Sequence, residues 1–393
     1  MNEGRTVFSQ LLDHLPKYEF DKCVERYQGN FHVRTLPTYE QFLVMAFAQL
    51  TWRESLRDIE TCLRALGSRL YHSGIRKAPA RSTLADANEK RDWRIFADFA
   101  HVLIGQTADL YVGEAFGAEV LAAAYALDST TINLSLSIFP WAKYQPYSAG
   151  VKLHTLLALR GNYPTVVIIT PSRVHDVNSM DWLAYEPGSF YIFDRGYWDF
   201  ARWHRIHQSG AFFVTRARAS FRARRLYSRP VDKALGLRFD QTVVMTEFYP
   251  KKDYPEPLRR IGFVDPVTGK ALIFLTNNFT LTALTIAQLY RCRWQVELFF
   301  KWLKQHLRIK AFYGTSDNAV RTQIWIAISI YLLVAILKKR LRLDPSPYTL
   351  LQIMSLTLFE KMPILQALSQ TSQLNESTHL QNQQCLPGFL TGH

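Results

Sequence analysis

Apolar positions in the first hundred residues recur at the spacing of amphipathic helices. The first such segment is preceded by a capping-box pattern, Thr38 with Gln41 three residues later. Two short helices joined by a tight turn can read DNA or simply pack together, and the periodicity alone favours packing. The predicted helices cover Glu40 to Leu50, Ser55 to Gly67, and a longer stretch from near Ser82 to Tyr111.

At about Val120 the pattern changes to apolar runs separated by turn residues, which predicts strands. The run LAAAYALDSTTINLS predicts a buried strand that ends in the carboxylate of Asp128, and SFYIFD predicts another that ends at Asp194. The order of elements is three strands, helix, strand, helix, strand, so a mixed sheet with surrounding helices is expected. The other predicted elements are strands over Lys152–Arg160, Thr165–Thr170 and AFFVTRAR, and helices over RVHDVNSMDWL and DFARWHRIHQSG.

Residues 218–276 break this rhythm with short β-like runs between turn residues, which predicts a β-rich insertion. Helices resume at about Thr282, and the tail beyond about Ser369 is rich in Gln, Asn, Ser and Thr, so poor order is expected there. The predicted plan is a helical N-terminal domain (1–115), the first part of an α/β core (116–217), the insertion (218–276), the rest of the core with C-terminal helices (277–345), and a C-terminal segment (346–393).

The composition is that of a basic globular protein. Of the 393 residues, 48% are apolar and 20% charged, and the net charge is +14. This length suggests two or three domains. The positive balance favours a polyanionic partner, of which nucleic acid is the common one, although a basic surface that binds nothing gives the same balance.

The cysteines and apolar runs indicate the compartment of the protein and whether it spans a membrane. The four cysteines form no CxxC pair and no zinc-type cluster, which fits a reducing cytosol. The N-terminus lacks the order of a signal peptide. The longest apolar run, Ile324 to Leu337, is too short to span a bilayer and is typical of a core helix. We therefore expect a cytoplasmic protein without membrane association.

One helical segment, from Tyr290 to Lys304, carries a narrow polar stripe on an otherwise apolar circumference. At about 100° per residue the stripe consists of Tyr290, Arg293, Glu297, Lys301 and Lys304. A salt-bridge ladder at i, i+4 spacing would explain Glu297 but leaves several cations and a tyrosine unpaired. One acid among several bases suits a site that binds both metal and phosphate.

Two further acids complete a candidate metal site. Asp128 and Asp194 each follow an apolar strand, where a carboxylate must be paired or bind a metal to offset its desolvation. Taken singly, Asp128 can instead accept an Asx-turn hydrogen bond, and Asp194 can pair with Arg195 or cap the next helix. Together with Glu297 they provide the hard oxygen ligands that two Mg²⁺ or Mn²⁺ ions require.

The spacing Tyr290-x2-Arg293-x3-Glu297-x6-Lys304 resembles the Y-R-E-K signature of bacterial insertion-sequence transposases of the DDE class, in the family often called IS-four. Asp128 in ALDST and Asp194 in FDRGY resemble the two aspartates of that triad, and the resemblance extends from about residue 5 to 345.

The resemblance implies an RNase H-like catalytic core interrupted by a β-rich insertion, with a helical front end that binds DNA ends. It implies that Glu297 is the third metal ligand and that Tyr290, Arg293 and Lys304 hold phosphates. Some relatives stack an insertion tryptophan on a flipped base during hairpin formation. This chain has no tryptophan between Trp203 and Trp294, so that Phe221 or Tyr249 would have to substitute.

A run of arginines follows the last core strand. It suits contact with phosphates, with stacking by Phe221, although a solvated loop is the commoner fate of such a charge run. The pair His175 and Asp176 and the residue His154 are interpreted as structural. The arginines are Arg216, Arg218, Arg222, Arg224 and Arg225.

These patterns predict a transposase that acts on double-stranded DNA, at the transposon ends and at the target, with two Mg²⁺ or Mn²⁺ ions per site. A homodimer is expected in the synaptic complex. Two alternatives stay open: a metal-dependent nuclease of the same fold without strand transfer, and a catalytically silent DNA-binding protein derived from a transposase.

Overall fold

The computed structural model describes residues 4–114, 120–306, 309 and 312–369. The tail predicted to be poorly ordered lies outside these residues. The chain divides into two compact units. Within the described residues, unit 1 comprises 4–112, Thr131–Val151 and those from Phe299 to Ser369, and unit 2 comprises those between 113 and 130 and Lys152–Leu298.

The described residues form α-helices and β-strands in an order that alternates after the first hundred residues. The helices are α1 (Val7–Leu12), α2 (Lys17–Arg26), α3 (Thr38–Leu50), α4 (Leu56–Leu66), α5 (Arg81–Lys90), α6 (Arg94–Tyr111), α7 (Phe200–Gln208), α8 (Phe248–Asp253), α9 (Ala283–Cys292), α10 (Trp294–His306), α11 (Asp317–Arg340), α12 (Pro347–Thr357) and α13 (Ile364–Ser369). The strands are β1 (Ala124–Leu134), β2 (Lys143–Gln145), β3 (Ser148–Ala158), β4 (Tyr163–Pro171), β5 (Phe190–Phe193), β6 (Phe212–Arg216), β7 (Ala223–Arg229), β8 (Leu237–Met245), β9 (Leu258–Val264) and β10 (Ala271–Thr276).

The helical front end is confirmed, with two corrections of detail. The predicted capping box is wrong: Thr38 is the first residue of α3, and its hydroxyl donates 2.9 Å to the carbonyl of Gly29 instead of capping the helix. The long third helix is in fact α5 and α6. They are separated at Asp92, whose carboxylate accepts from the backbone N–H of Arg94 at 2.9 Å, as a residue before a helix start does.

Helix α11 is the apolar centre of unit 1. It is long and apolar enough to cross a membrane, but 94% of its most apolar window is buried within the fold. Such burial is typical of a core helix, as the sequence predicted.

The strands form one mixed sheet in the order β2-β3-β1-β5-β6-β10-β9-β8-β7, and β4 also pairs with β3. β1, β5 and β6 run parallel to one another, whereas β10 runs antiparallel to β6. The order β4-β3-β1-β5-β6, with the first strand in the middle, is that of an RNase H-like core and confirms the predicted α/β class. The four strands of the β-rich segment extend the sheet beyond β6.

Aromatic side chains fill the core of unit 2. Trp203 of α7 packs on Phe213 of β6 with ring centroids 5.2 Å apart, and Phe193 of β5 stacks on the same phenylalanine at 6.1 Å. All three are fully buried. This packing fixes the end of β5, from which the chain leaves at Asp194.

The structure corrects three local predictions. Asp128 lies inside β1 and not at its end, because the residues up to Leu134 continue the strand. The helix predicted to run through Arg293 is interrupted there, since α9 ends at Cys292 and Arg293 lies between it and α10. Part of the arginine run forms the edge strand β7, which corrects the alternative of a solvated loop for those residues.

Candidate active site

Asp128 and Asp194 lie on neighbouring parallel strands of unit 2. The last register pair between β1 and β5 is Leu127 with Phe193, and each is followed by an aspartate: Asp128 within β1 and Asp194 directly after β5. Parallel strands keep equivalent positions at the same level of a sheet. The register therefore places the two carboxylates side by side on the backbone, although 66 residues separate them along the chain (194 − 128).

Asp128 is a mostly buried acid. Its side chain is 19% exposed, and its Oδ1 accepts from the backbone N–H of Ser129 at 2.8 Å. Burial raises the pKa of Asp128 to about 7, and the negative charges of Asp194 and Glu297 act in the same direction. The positive charge of Arg293 and the bond from Ser129 oppose that rise in pKa. Such a carboxylate is stabilised by any cation placed beside it.

Asp194 is held by the tight turn that follows β5. Its Oδ1 accepts from the N–H of Gly196 at 2.7 Å and so caps the short 3-10 turn Arg195–Tyr197. A Cβ atom on residue 196 would lie 2.9 Å from the same Oδ1, so glycine is needed for this close approach. Helix α7 begins later and is capped by Asp199, so Asp194 does not cap it.

Arg293 joins the first and third acids of the candidate triad. Its Nη1 lies 3.2 Å from Oδ2 of Asp128, and its Nη2 lies 2.5 Å from Oε1 of Glu297, which is four residues further along the chain. The arginine is only 15% exposed, and its Nε has no partner among the described residues. One guanidinium thus bridges two carboxylates that come from β1 and α10.

Tyr290 and Arg216 lie beside this group. The ring of Tyr290 packs on Phe274 at 4.9 Å between centroids, and the Arg293 guanidinium lies 5.8 Å from the ring centre. Burial raises the pKa of Tyr290, while the charges of Arg293 and Arg216 lower it. The structure therefore groups Asp128, Asp194, Glu297, Tyr290, Arg293 and Arg216 within unit 2.

The two lysines of the predicted stripe belong to unit 1, and each has a different environment. Lys301 is exposed. Lys304 is half-buried, and its Nζ donates 2.9 Å to the backbone carbonyl of Thr131. Since Arg293 lies in the break between two helices, the five positions do not form the single helical stripe that the sequence predicted.

The remaining predicted arginines divide into a tethered one and three exposed ones. Arg218 donates two hydrogen bonds, of 3.1 and 2.6 Å, to the carbonyl of Arg195 and lies over the ring of Trp198. The exposed side chains are those of Arg222, Arg224 and Arg225, and no ion pair involves them among the described residues. Arg218 thus holds the turn after Asp194, while the other three face solvent.

The two candidate stacking aromatics differ in exposure. Phe221 is half-buried against Trp198, with centroids 5.9 Å apart, and belongs to the edge of the unit 2 core. Tyr249 is 74% exposed at the start of α8, next to Phe248, which is 75% exposed. Only the second is free to stack on a base.

The donor set of the site fits a hard divalent cation, but its geometry is not that of a preformed metal cage. The three acids supply carboxylate oxygens, which Mg²⁺ and Mn²⁺ prefer, and their charges act on one another. Within the described part of the chain, no group of three His, Cys, Asp or Glu side chains is already gathered to hold one ion. The bridging guanidinium of Arg293 takes up the Asp128 and Glu297 oxygens that an ion would need.

The sequence only partly indicated a polar group next to the acids, since it favoured a structural role for Asp176. The hydroxyl of Ser129 interacts with Asp176, which also pairs with Lys152 at 2.8 Å between Nζ and Oδ1. Tyr197 directly follows the turn glycine Gly196. It is buried, and the charges of Asp128 and Asp194 act on its hydroxyl. The available signals were the hydroxyl directly after Asp128 and the tyrosine of FDRGY.

Two family models match the chain. The first, described as a transposase DDE domain, matches residues 122–333, which include all three acids. The second, described as a domain of unknown function (DUF4372), matches residues 3–76 of the helical front end.

Individual relatives agree with the larger match. A protein of Sinorhizobium fredii named as transposase y4zB is 33% identical over 73% of this chain and 80% of its own length. A Geobacillus stearothermophilus transposase for insertion sequence element IS5377 is 30% identical over 53% of this chain and 55% of its own length. A Synechocystis transposase for element IS4SA is 22% identical over 81% of this chain and 88% of its own length.

A solved structure is similar at a greater distance. It is a piggyBac transposase synaptic complex with hairpin DNA, matched with a TM-score of 0.44 and 11% identity over 98% of this chain and 84% of that chain. Similarity at this level does not extend to the details of the site.

Proposed function

The chain belongs to the family of DDE transposases, enzymes that act on DNA, and we propose that Asp128, Asp194 and Glu297 are its catalytic acids. The observation that carries this proposal is the convergence of these three carboxylates. The charges of Asp194 and Glu297 act on the mostly buried carboxyl of Asp128, and Arg293 bridges it to Glu297. An acid cluster of this kind within a largely apolar core costs stability unless cations accompany it.

The acids would hold the divalent metal ions that DDE transposase domains generally use. We propose two Mg²⁺ ions, or Mn²⁺ ions, ligated by Asp128, Asp194 and Glu297. When bound, such a pair activates the attacking oxygen and stabilises the leaving oxygen of an in-line displacement. No side chain of this chain then needs to act as a nucleophile, because water and the freed 3′ hydroxyl serve in turn.

We propose that Arg293 mainly positions acids instead of gripping phosphate. Both of its terminal nitrogens are engaged by Asp128 and Glu297, and the side chain is 15% exposed. Phosphate contact falls instead to half-buried Arg216 beside Tyr290, to Lys301 and Lys304, and to the exposed arginines of the insertion. Arg218 supports the turn after Asp194 through its bonds to Arg195.

The helical front end is proposed to contact the DNA ends. Its segment from Gly67 to Arg81 contains four cations and no acid. The side chains of these cations are all exposed; Arg76 pairs with Glu40, and the other three are accessible to a phosphate backbone. The four cations are Arg69, Arg76, Lys77 and Arg81.

The test is transfer of a labelled DNA end into a target. A duplex carrying the inverted repeat that flanks the gene is incubated with the full chain, Mg²⁺ and a supercoiled plasmid. We expect the labelled 3′ end to become covalently joined to the plasmid. The same reaction with Ca²⁺ is the control, since Ca²⁺ supports binding but poorly supports the displacement.

Other products would point elsewhere. Cleaved ends without joined plasmid would show a nuclease of the same fold. Bound but uncut ends, at every Mg²⁺ concentration, would show a silent DNA-binding protein and would contradict the proposed function.

A further inference from the structure

The hydroxyl of Tyr197 is a buried polar group without a well-formed hydrogen bond. Tyr197 is 1% exposed, and its oxygen has no hydrogen-bond partner among the described residues. The hydroxyl of Ser129 lies beside it and opposes the rise in its pKa. Burying a hydroxyl in this way costs free energy that a phenylalanine would not. A tyrosine at this position therefore calls for an explanation beyond packing.

The surroundings of that hydroxyl are acidic. The negative charges of Asp128, Asp176 and Asp194 all act on it. Burial raises the pKa of Tyr197 well above its ordinary value, and these three charges raise it further, so the phenol stays protonated. It is thus a hydrogen-bond donor enclosed among acceptors, two of which are proposed catalytic acids.

One of the three acceptors, Asp176, already has a cationic partner. Lys152, whose side chain is 13% exposed, pairs with Asp176 at 2.8 Å and donates 2.7 Å to the carbonyl of Val174. Burial alone would raise the pKa of Asp176, but the hydrogen bonds from Lys152 and Ser129 bring it below its ordinary value. Asp176 is therefore a fixed anion that does not need the tyrosine proton.

The second acceptor, Asp194, has a backbone donor. The third, Asp128, shares its arginine with another acid. Asp194 accepts from the N–H of Gly196 at 2.7 Å in the turn that contains Tyr197 itself. Asp128 has one oxygen on the N–H of Ser129 and the other on Arg293, which it shares with Glu297. If metal ions engage Asp128, they compete with Arg293 for its oxygens, and a further donor then helps to fix the carboxylate.

We propose that Tyr197 is a positioning residue whose hydroxyl donates to the Asp128 carboxylate when that carboxylate ligates a divalent ion. Partners of this kind orient metal-ligating side chains and hold them against rotation. The inference rests on the proposed function, because it presumes that Asp128 ligates metal.

The test compares Tyr197→Phe with Tyr191→Phe. Both tyrosines are 1% exposed in the core of unit 2, but the Tyr191 hydroxyl accepts from the N–H of Glu186 at 2.9 Å. Mn²⁺ is titrated by calorimetry into the full chain bound to a duplex that ends at the cleaved terminus. Melting temperatures are measured in parallel.

We expect Tyr197→Phe to weaken Mn²⁺ binding about tenfold, as loss of an outer partner of a metal ligand does. Its melting temperature should be unchanged or higher, since the lost hydroxyl has no partner. Tyr191→Phe should show the opposite: a lower melting temperature and unchanged Mn²⁺ affinity.

Wild-type Mn²⁺ affinity in Tyr197→Phe would overturn the inference. If that variant failed to fold, Ser129→Ala would replace it. We expect Ser129→Ala to weaken Mn²⁺ binding to the same extent, and wild-type Mn²⁺ affinity in that variant would likewise overturn the inference. The proposed function is judged separately by Asp128→Ala. Should that variant bind as much Mn²⁺ as the unaltered chain, Asp128 is no ligand, and the proposed function fails independently of Tyr197.

Discussion

At the scale of single residues, the contacts of Arg293 change what its removal should do. From the sequence alone, Arg293 and Glu297 form an exposed i, i+4 pair whose loss costs about 0.3–0.5 kcal/mol. In the structure the arginine is 15% exposed and also binds Asp128, which is 165 residues away in the chain. No periodicity in the sequence reports a contact between side chains so far apart.

We therefore predict that Arg293→Ala lowers stability as well as cleavage. Removing one partner of a partly buried ion pair leaves uncompensated charge, so the cost should exceed the roughly 0.3–0.5 kcal/mol of an exposed pair. Arg293→Lys keeps the charge but cannot bridge two carboxylates through one planar group, so it should recover part of that loss. Urea unfolding of both variants measures the effect. An unchanged midpoint for Arg293→Ala would show that the bridge is not formed in solution.

A second residue-scale prediction concerns Gly196. A methyl group there would lie 2.9 Å from Oδ1 of Asp194, so Gly196→Ala should displace that carboxylate and slow end cleavage by about tenfold or more. The fold should remain intact, because the displaced group is the end of a side chain. Single-turnover cleavage is measured beside circular dichroism.

The matched control for Gly196 is Gly105→Ala. Residue 105 lies within α6, and a Cβ there meets nothing within 4 Å. This variant should cleave normally and gain about 0.5–1 kcal/mol of stability from the better helix former. Equal cleavage rates in the two variants would mean that the close approach at Gly196 has no role in the site.

At the scale of elements, apolar runs between turn residues predicted the core strands well, but they misjudged where β1 ends. The residues Ser129-Thr130-Thr131 look like a turn, yet Thr and Ile side chains also suit a pleated strand, and β1 continues through them. Strand β7 escaped prediction because it lies at the sheet edge. With five of its seven positions exposed, it needs no apolar face.

The helix break at Arg293 escaped prediction for a different reason. Its backbone stays in the helical region, with φ −52° and ψ −30°, so no glycine or proline marks the interruption. The bond from its N–H to the carbonyl of Tyr290 is one residue tighter than in an α-helix. At this tighter turn the guanidinium lies between Asp128 and Glu297. The contact with Asp128 is tertiary, so no local sequence pattern predicts the break.

The edge strand gives an element-scale prediction. Replacing Arg222, Arg224 and Arg225 by Gln should weaken DNA-end binding and flatten its dependence on salt. Each lost phosphate contact lowers the slope of log affinity against log salt by about 0.9. Fluorescence anisotropy across a range of KCl concentrations measures that slope.

A control of equal charge change is available in the helical front end. Arg5, Lys17 and Lys22 are each already paired with an acid, at 2.7, 2.6 and 3.1 Å. Replacing these three by Gln should leave the slope nearly unchanged. If both triple variants behave alike, the arginines of β7 form a solvated edge and not a DNA contact.

At the scale of the whole molecule, the site depends on acids that the chain brings together from distant positions. The sequence predicted that Asp128 and Asp194 each follow an apolar strand and share one site. The parallel register of β1 with β5 shows how the two residues become neighbours. The sequence also indicated Glu297 through its spacing to neighbouring polar residues. It could not indicate which polar groups surround each carboxylate, since Ser129, Lys152, Asp176 and Tyr197 carry no spacing signature.

The assembly with DNA gives a further whole-molecule prediction. We expect two chains and two DNA ends in the complex that performs joining, because both ends must reach the target together. Light scattering of the purified complex gives its mass, for a chain of 45.5 kDa. A complex of one chain and one end that joins both ends to a plasmid at full rate would contradict this expectation.

The central claim is that Asp128, Asp194 and Glu297 act as one metal-dependent catalytic group. It is tested most directly by single-turnover cleavage of a labelled DNA end by Asp128→Asn, Asp194→Asn and Glu297→Gln, with Glu247→Gln, an exposed acid of the same unit, as the control. We predict that each triad variant loses about a hundredfold or more in rate while still binding the end, and that the control cleaves normally. Cleavage at the control's rate by any one of the three would contradict the claim for that residue.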